Sequence, residues 1–308
     1  MRTNTIRSIS LSLLLGSSIA AAQPPGITME MINTTLPEEG APLAVAGSYA
    51  VTAEGAYNAA RYLVFRPTDL AAFPARDKLP LLLWGNGGCA IDGKRYGGFL
   101  STIASHGFLV LTTTAIEGEA QRQQNAQDLL AAIEWATAEN SRAGSPLQGK
   151  VDLEHIAVMG QSCGGFLSVS LGTDPRVDTI GVFNSGVQPA APAAANAPAS
   201  PFPTTDALAK LHGPLMFING AERDFMTVTS KANFDLINNL PVFYGARHGA
   251  GHTATVYHAG GGEFANVASN WLRYQFKGSA EAGKMFVGKD CELCTNPNWD
   301  TASKGMDK

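Results

Sequence analysis

Nothing in this 308-residue chain reads as a nucleic-acid surface. Lys and Arg number 22 against 26 Asp and Glu, the net charge is −4, and no basic run occurs. Polyanion binding needs a clustered cationic excess. Long hydrophobic runs are missing too: the mostly apolar segment 9–19 is too short to span a bilayer. No internal repeat is present, which excludes a solenoid. Cysteine is sparse, at four residues, and the lone C-x-x-C of Cys291 and Cys294 lacks the second pair that a zinc ribbon requires. What remains, with 45% hydrophobic and 16% charged residues, is the composition of a globular chain with a sizeable core.

The first 22 residues read as a secretory leader. Arg2 and Arg7 form the positive start, Ile9 to Ile19 the short apolar centre, and Ala20-Ala21-Ala22 the small-residue cleavage site. Without Arg2 and Arg7 the charge moves from −4 to −6. Residues 23–308 suit one large domain, secreted or periplasmic, with no membrane attachment after cleavage. In an oxidising compartment an even cysteine count favours disulfides. Asn33-Thr34-Thr35 fits a glycosylation sequon, which matters only in a eukaryotic host.

Alternation over 43–66 predicts antiparallel strands that open a sheet. Continuous apolar runs at 79–84 and 108–111 read as strands buried on both faces. Further strands are predicted at 156–159, 180–183, 215–218 and 242–244. Between them lie helical patterns at 99–105 and 126–133, and 263–276 reads as a closing helix. Strands alternating with helices define an α/β class with a mostly parallel central sheet and helices on both faces. Residues 188–203, rich in Ala and Pro, can form neither a regular helix nor a central strand. They are either a solvated excursion or a lid over the site.

The most informative stretch is Gly160-Gln161-Ser162-Cys163-Gly164, a G-x-S-x-G pattern. An apolar β-rich run precedes it and a helical run follows. Strand, tight turn and helix together are what a nucleophilic serine needs in order to stand exposed on a strained turn. Glycine is abundant, at 33 residues, so the alternative is a glycine-rich turn with an incidental serine.

A serine needs a base, and the base needs an orienting acid. Past the strand at 215–218, the turn Gly220-Ala221-Glu222-Arg223-Asp224 offers Asp224, with Glu222 its close rival. Three histidines follow. His252, in the loop Gly249-Ala250-Gly251-His252, is the favoured base, with His248 next and His258 at the start of the closing helix. His106 and His155 read as a helix-end and a strand-start residue. Without Ser162, the alternative is that the two carboxylates are solvated turn residues.

With these motifs in order, the chain resembles the α/β-hydrolase superfamily, and within it the cutinase-like polyester hydrolases and their dienelactone-hydrolase relatives. The matching pieces are Ala104-Ser105-His106-Gly107-Phe108, the Gly160–Gly165 turn, Gly220-x-Glu222-x-Asp224 and Gly249–His252. The resemblance implies a serine esterase with a Ser162, His252, Asp224 triad, an acyl-enzyme, and no metal or cofactor. Its substrate would be a small or polymeric ester, of aryl or polyester type. The resemblance also places the two oxyanion-binding N–H groups on Cys89 and Cys163. Gln161 stands where the family commonly has Trp or His, and cysteines replace the usual aromatics at the oxyanion positions.

Two N–H groups that share one oxyanion bring their Cα atoms near disulfide range. The resemblance therefore implies a Cys89–Cys163 bridge, the alternative being two free thiols at the cleft. Cys291 and Cys294 would then close a small structural loop. Two functional alternatives remain at this stage: a peptidase or lactonase using the same three residues, and a non-catalytic binding protein on the same fold.

Overall fold

The computed structural model describes residues 44–71, 73, 77–116, 118, 122–190, 200 and 202–306. The expected leader, the Asn33 sequon, and residues 191–199 and 201 of the Ala/Pro-rich segment lie outside the described residues.

The strands are β1 (Val51–Ala56), β2 (Ala59–Pro67), β3 (Leu79–Gly85), β4 (Leu109–Thr113), β5 (Val151–Gln161), β6 (Thr179–Phe183), β7 (Leu215–Gly220), β8 (Val242–Arg247) and β9 (Trp299–Lys304). They form one sheet in the order β1-β2-β4-β3-β5-β6-β7-β8-β9. The six strands from β4 to β8 pair in parallel, and β1, β2 and β9 pair antiparallel at the two edges. This is the mostly parallel α/β sheet expected from the alternating pattern.

The main helices are α1 (Gly97–Ser105), α2 (Ala126–Ser141), α3 (Cys163–Leu171), α4 (Thr227–Leu236) and α5 (Gly262–Lys277), with a short α6 (Ala280–Gly283). Strand periodicity of two sorts the core onto two faces. Leu81 and Leu83 of β3 face Leu129 and Ile133 of α2 and Leu167 of α3. Their neighbours Leu82 and Trp84 face Phe99 and Ile103 of α1 and Phe264 and Trp271 of α5. Apolar runs such as 79–84 are continuous because both faces of the strand are covered. The N-terminus of α2 is fixed by a reciprocal capping box between Asn125 and Asp128.

Three elements depart from expectation. Ala44 and Val45 do not pair in the sheet; the Val45 carbonyl instead meets the His106 ring at 3.0 Å, and β1 begins at Val51. The helix at 262–277 does not close the fold, because the chain returns as β9. Trp299 anchors that return: its indole N–H donates to Glu263 at 2.7 Å, and Glu263 also pairs with Arg247 at 2.7 Å. The third is α4, for which no helix was expected. Its Phe234 packs into the core face of α2 and α3. The Cys291–Cys294 disulfide is formed in the segment leading to β9, with Cys291 buried.

Candidate active site

Three loops at the C-terminal ends of β5, β7 and β8 meet in one place, where open parallel sheets place their sites. Ser162 follows β5 in the middle of the sheet. Its φ of 54° and ψ of −118° lie outside the ordinary regions for an L residue. The flanking glycines are required by contact. A Cβ on Gly164 would sit 2.0 Å from the Gly85 carbonyl oxygen, and one on Gly160 would sit 2.3 Å from that of Gly164. Only bare backbone lets α3 start this close to β3 and β5. The turn is held by the Ser162 N–H donating to Phe183 at 2.9 Å and by the Ser185 hydroxyl donating to the Ser162 carbonyl at 2.7 Å.

The imidazole of His252 lies between Ser162 and Asp224. Its Nε2 is 2.8 Å from Ser162 Oγ and its Nδ1 is 2.9 Å from Asp224 Oδ1. The Asp224 side chain is fully buried and that of His252 is 5% exposed, so the pair interacts where water screens it little. The carboxylate accepts further bonds from Asn184 Nδ2 at 2.8 Å, the Gly220 N–H at 3.2 Å and the Met226 N–H at 3.1 Å. These donors fix its orientation. The Phe225 ring stacks on the imidazole with centroids 4.1 Å apart.

The rival residues lie elsewhere. His248 is solvent-exposed and meets Asp300 at 3.1 Å. Glu222 accepts the Gly249 N–H at 2.9 Å and faces His248 at 3.7 Å. Hydrogen bonds from its own and the Gly249 amide hold Glu222 below its ordinary carboxylate value. His258 is buried beside the Gly260–Gly262 turn, and its Nε2 has no hydrogen-bond partner among the described residues.

Cys89 and Cys163 are bonded to each other, with Cα atoms 5.2 Å apart. The bridge ties the loop after β3 to the residue following Ser162. The amides of that loop can be accounted for one by one. The Asn86 N–H donates to Gln124 Oε1 at 2.6 Å, Gly87 to the Tyr96 hydroxyl at 2.7 Å, Cys89 to the Asn86 carbonyl at 3.1 Å, and Ala90 to the Gly87 carbonyl at 3.3 Å. The Cys89 amide, expected to face an oxyanion, is thus committed within its own turn, and Cys89 is buried. Within the turn from Asn86 to Ala90, the amide with no acceptor among the described residues is that of Gly88, whose φ is +64°. Gly88 lines the cleft beside Ser162, whereas Cys89 does not. As the first residue of α3, Cys163 has an N–H with no intrahelical acceptor.

Sequence reasoning missed a second polar network. The Tyr96 hydroxyl, buried, accepts from Gly87, donates to Gln161 Oε1 at 3.2 Å, and receives the Tyr257 hydroxyl at 3.3 Å. Gln161 Nε2 then donates to the His252 carbonyl at 2.9 Å. Burial pushes the Tyr96 phenol well above its ordinary value, so it stays protonated at neutral pH. The loop after β3, the serine turn and the histidine loop are thereby joined through two side chains. Gln161 was noticed only as a departure from the family pattern, and its partners come from distant loops that one sequence does not reveal.

The cleft over Ser162 has a volume of about 340 Å³ and is walled by Phe225, Tyr257, Gly87 and Arg95. A larger cavity of about 600 Å³ lies at the opposite ends of β3 and β5, around Pro80 and Asp152, away from these residues. Among the described residues no group of three or more His, Cys, Asp or Glu could hold a metal ion, and no helix is long and apolar enough to cross a membrane.

Among parallel α/β folds, a serine offered from the central strand to a histidine and a carboxylate from two later strand ends distinguishes the hydrolases, and the molecule is of that class. Its family is narrower. A family model described as PET hydrolase-like matches residues 97–276, more than half of the chain, and the chain belongs to that family, whose members hydrolyse esters. No curated protein matches it. The family match begins at Gly97, so the loop from Asn86 to Tyr96 that borders the cleft is outside it.

Proposed function

We propose that this protein is a serine carboxylic-ester hydrolase in which Ser162 is the nucleophile, His252 the general base and acid, and Asp224 the group that orients the imidazole. The observation that carries this reading is the unbroken chain from Ser162 Oγ through both His252 nitrogens to Asp224, at 2.8 and 2.9 Å. Three residues of the right types, in the order the class uses, meet at hydrogen-bond distance on three separate loops.

The proposed cycle follows from the geometry. His252 Nε2 takes the Ser162 proton as Oγ attacks the ester carbonyl. Asp224 accepts the Nδ1 proton's hydrogen bond, fixes the tautomer and stabilises the imidazolium. The carbonyl oxygen, now negative, accepts two backbone N–H bonds, each worth roughly 3 kcal/mol of transition-state stabilisation. One donor is Cys163. For the other we assign Gly88 in place of Cys89, because the Cys89 amide already donates to Asn86. His252 protonates the leaving alkoxide, and water then repeats the sequence on the acyl-enzyme. Ser162, His252 and water account for every proton in the cycle.

The proposed substrates are carboxylic esters of aryl or polyester type. A cleft of about 340 Å³ that is open to solvent suits a small ester or one unit of a chain. The two disulfides support a site of action outside the cytoplasm. The leader reading and a single domain over 23–308 belong to the same proposal.

The test is hydrolysis of 4-nitrophenyl butyrate by the wild type and by Ser162→Ala. Loss of at least 10⁴-fold in kcat supports the reading. A Ser162→Ala enzyme that keeps most of its rate contradicts it.

A further inference from the structure

We propose that Arg95 recognises a carboxylate on the substrate, so that the preferred esters carry an anionic group on the acyl side, away from the scissile bond. This deepens the ester-hydrolase reading and rests on it.

Five of the described arginines are paired. Arg66, Arg122, Arg142, Arg176 and Arg247 each hold a carboxylate at 2.6–2.8 Å. Arg95 does not: like Arg223 and Arg273, it has no ion pair with a carboxylate among the described residues, although Asp92 is only three residues away. Its recorded contact is with an aromatic face, the guanidinium carbon lying 5.4 Å from the centre of the Tyr257 ring. That ring is itself fixed, because the Tyr257 hydroxyl donates to Tyr96 and the two rings are 5.4 Å apart. A guanidinium stacked on a face keeps its planar N–H fork open at the edge, which is the geometry that binds a carboxylate through two parallel bonds.

Position gives the fork a purpose. Arg95 lines the cleft with Ser162, and it is the one permanently charged side chain among the described residues that do so. A chain of net charge −4 would otherwise repel an anionic ester. Arg95 and Ser162 line one cleft of about 340 Å³, so a carboxylate at Arg95 and an ester at Ser162 can belong to one small molecule. The fitting substrate class is a half-ester of a dicarboxylic acid, spaced by a short methylene chain or one ring.

Two matched esters test it: mono-4-nitrophenyl glutarate, which carries the free carboxylate, and its methyl ester, which is neutral. Reading the ratio of their kcat/KM within each protein cancels any general loss of activity. The wild type is expected to favour the anionic ester about tenfold or more, and the preference should shrink in 0.5 M salt. Arg95→Gln should bring the ratio near one, and Arg95→Lys should restore part of it. An equal ratio in wild type and Arg95→Gln, with the neutral ester still hydrolysed, overturns the role of Arg95. Failure of the wild type to cleave either ester overturns the hydrolase reading instead, and this proposal with it.

Discussion

Cys163, the residue after Ser162, is bonded through its sulfur to Cys89, 74 positions earlier in the chain. The bridge joins the helix that starts at the serine to the loop that carries Gly88, a residue lining the cleft. In the proposed mechanism the spacing of the two backbone donors is thus held covalently as well as by hydrogen bonds.

Removing that bridge should cost stability and rate together. For a loop of this length, chain entropy gives about 4 kcal/mol. The Cys89→Ser, Cys163→Ser double variant, followed by denaturant unfolding, should lose most of this and show a lower kcat with little change in KM. The corresponding pair at Cys291 and Cys294, only three positions apart, should lose about 2 kcal/mol or less and leave kcat unchanged.

Asp224→Asn keeps the shape of the buried acid but reverses the hydrogen bonding at Nδ1. The expected loss is about 10³- to 10⁴-fold in kcat, with KM little changed, measured on a neutral 4-nitrophenyl ester. A loss below tenfold would show that Asp224 does not orient the base.

Gln161 meets the histidine loop through the His252 carbonyl, and its expected role is to position the imidazole. Gln161→Ala and Tyr96→Phe should each lower kcat by about tenfold to a hundredfold. KM and the unfolding midpoint should change far less. If both variants lose stability in proportion to rate, the network is structural alone.

Glu139 sets an acid limit on stability distant from the cleft. The Arg142 guanidinium, bonded at 2.6 Å, holds its carboxyl below the ordinary range, against the opposing effect of burial and with help from Ser145. A depressed folded value stabilises the protein at pH above the unfolded value near 4.5, and that contribution is lost as pH falls through the folded value. Glu139→Gln should therefore be less stable than wild type at pH 7, and the difference should narrow below pH 4.5 in thermal unfolding.

The parallel core strands were legible because burial on both faces leaves uninterrupted apolar runs, as at Leu79–Trp84. The serine turn was legible because only glycine fits at 160 and 164 beside Gly85. Strand β9 was not. Its sequence, Trp-Asp-Thr-Ala-Ser-Lys, has one large apolar residue and pairs on one side only, so it carries almost no pattern of its own. Helix α4 hides for a related reason, opening on Thr227, Val228 and Thr229, which are weak helix formers held by tertiary packing. At the site, residue types and chain order suggested Ser162, Asp224 and His252. The loop position of His252 favoured it over His248, four residues earlier, but the sequence could not show that only His252 turns inward to Ser162 while His248 faces Asp300. The Cys89 amide could not be read either, since its acceptor depends on the left-handed turn at Gly88 and Cys89.

The most direct measurement of the central claim is covalent labelling of the native protein with a fluorophosphonate, read by intact mass and peptide mapping. The expected result is one adduct per chain, on Ser162, absent in Ser162→Ala and strongly slowed in His252→Ala. No adduct on the wild type, or equal labelling of Ser162→Ala, would contradict it.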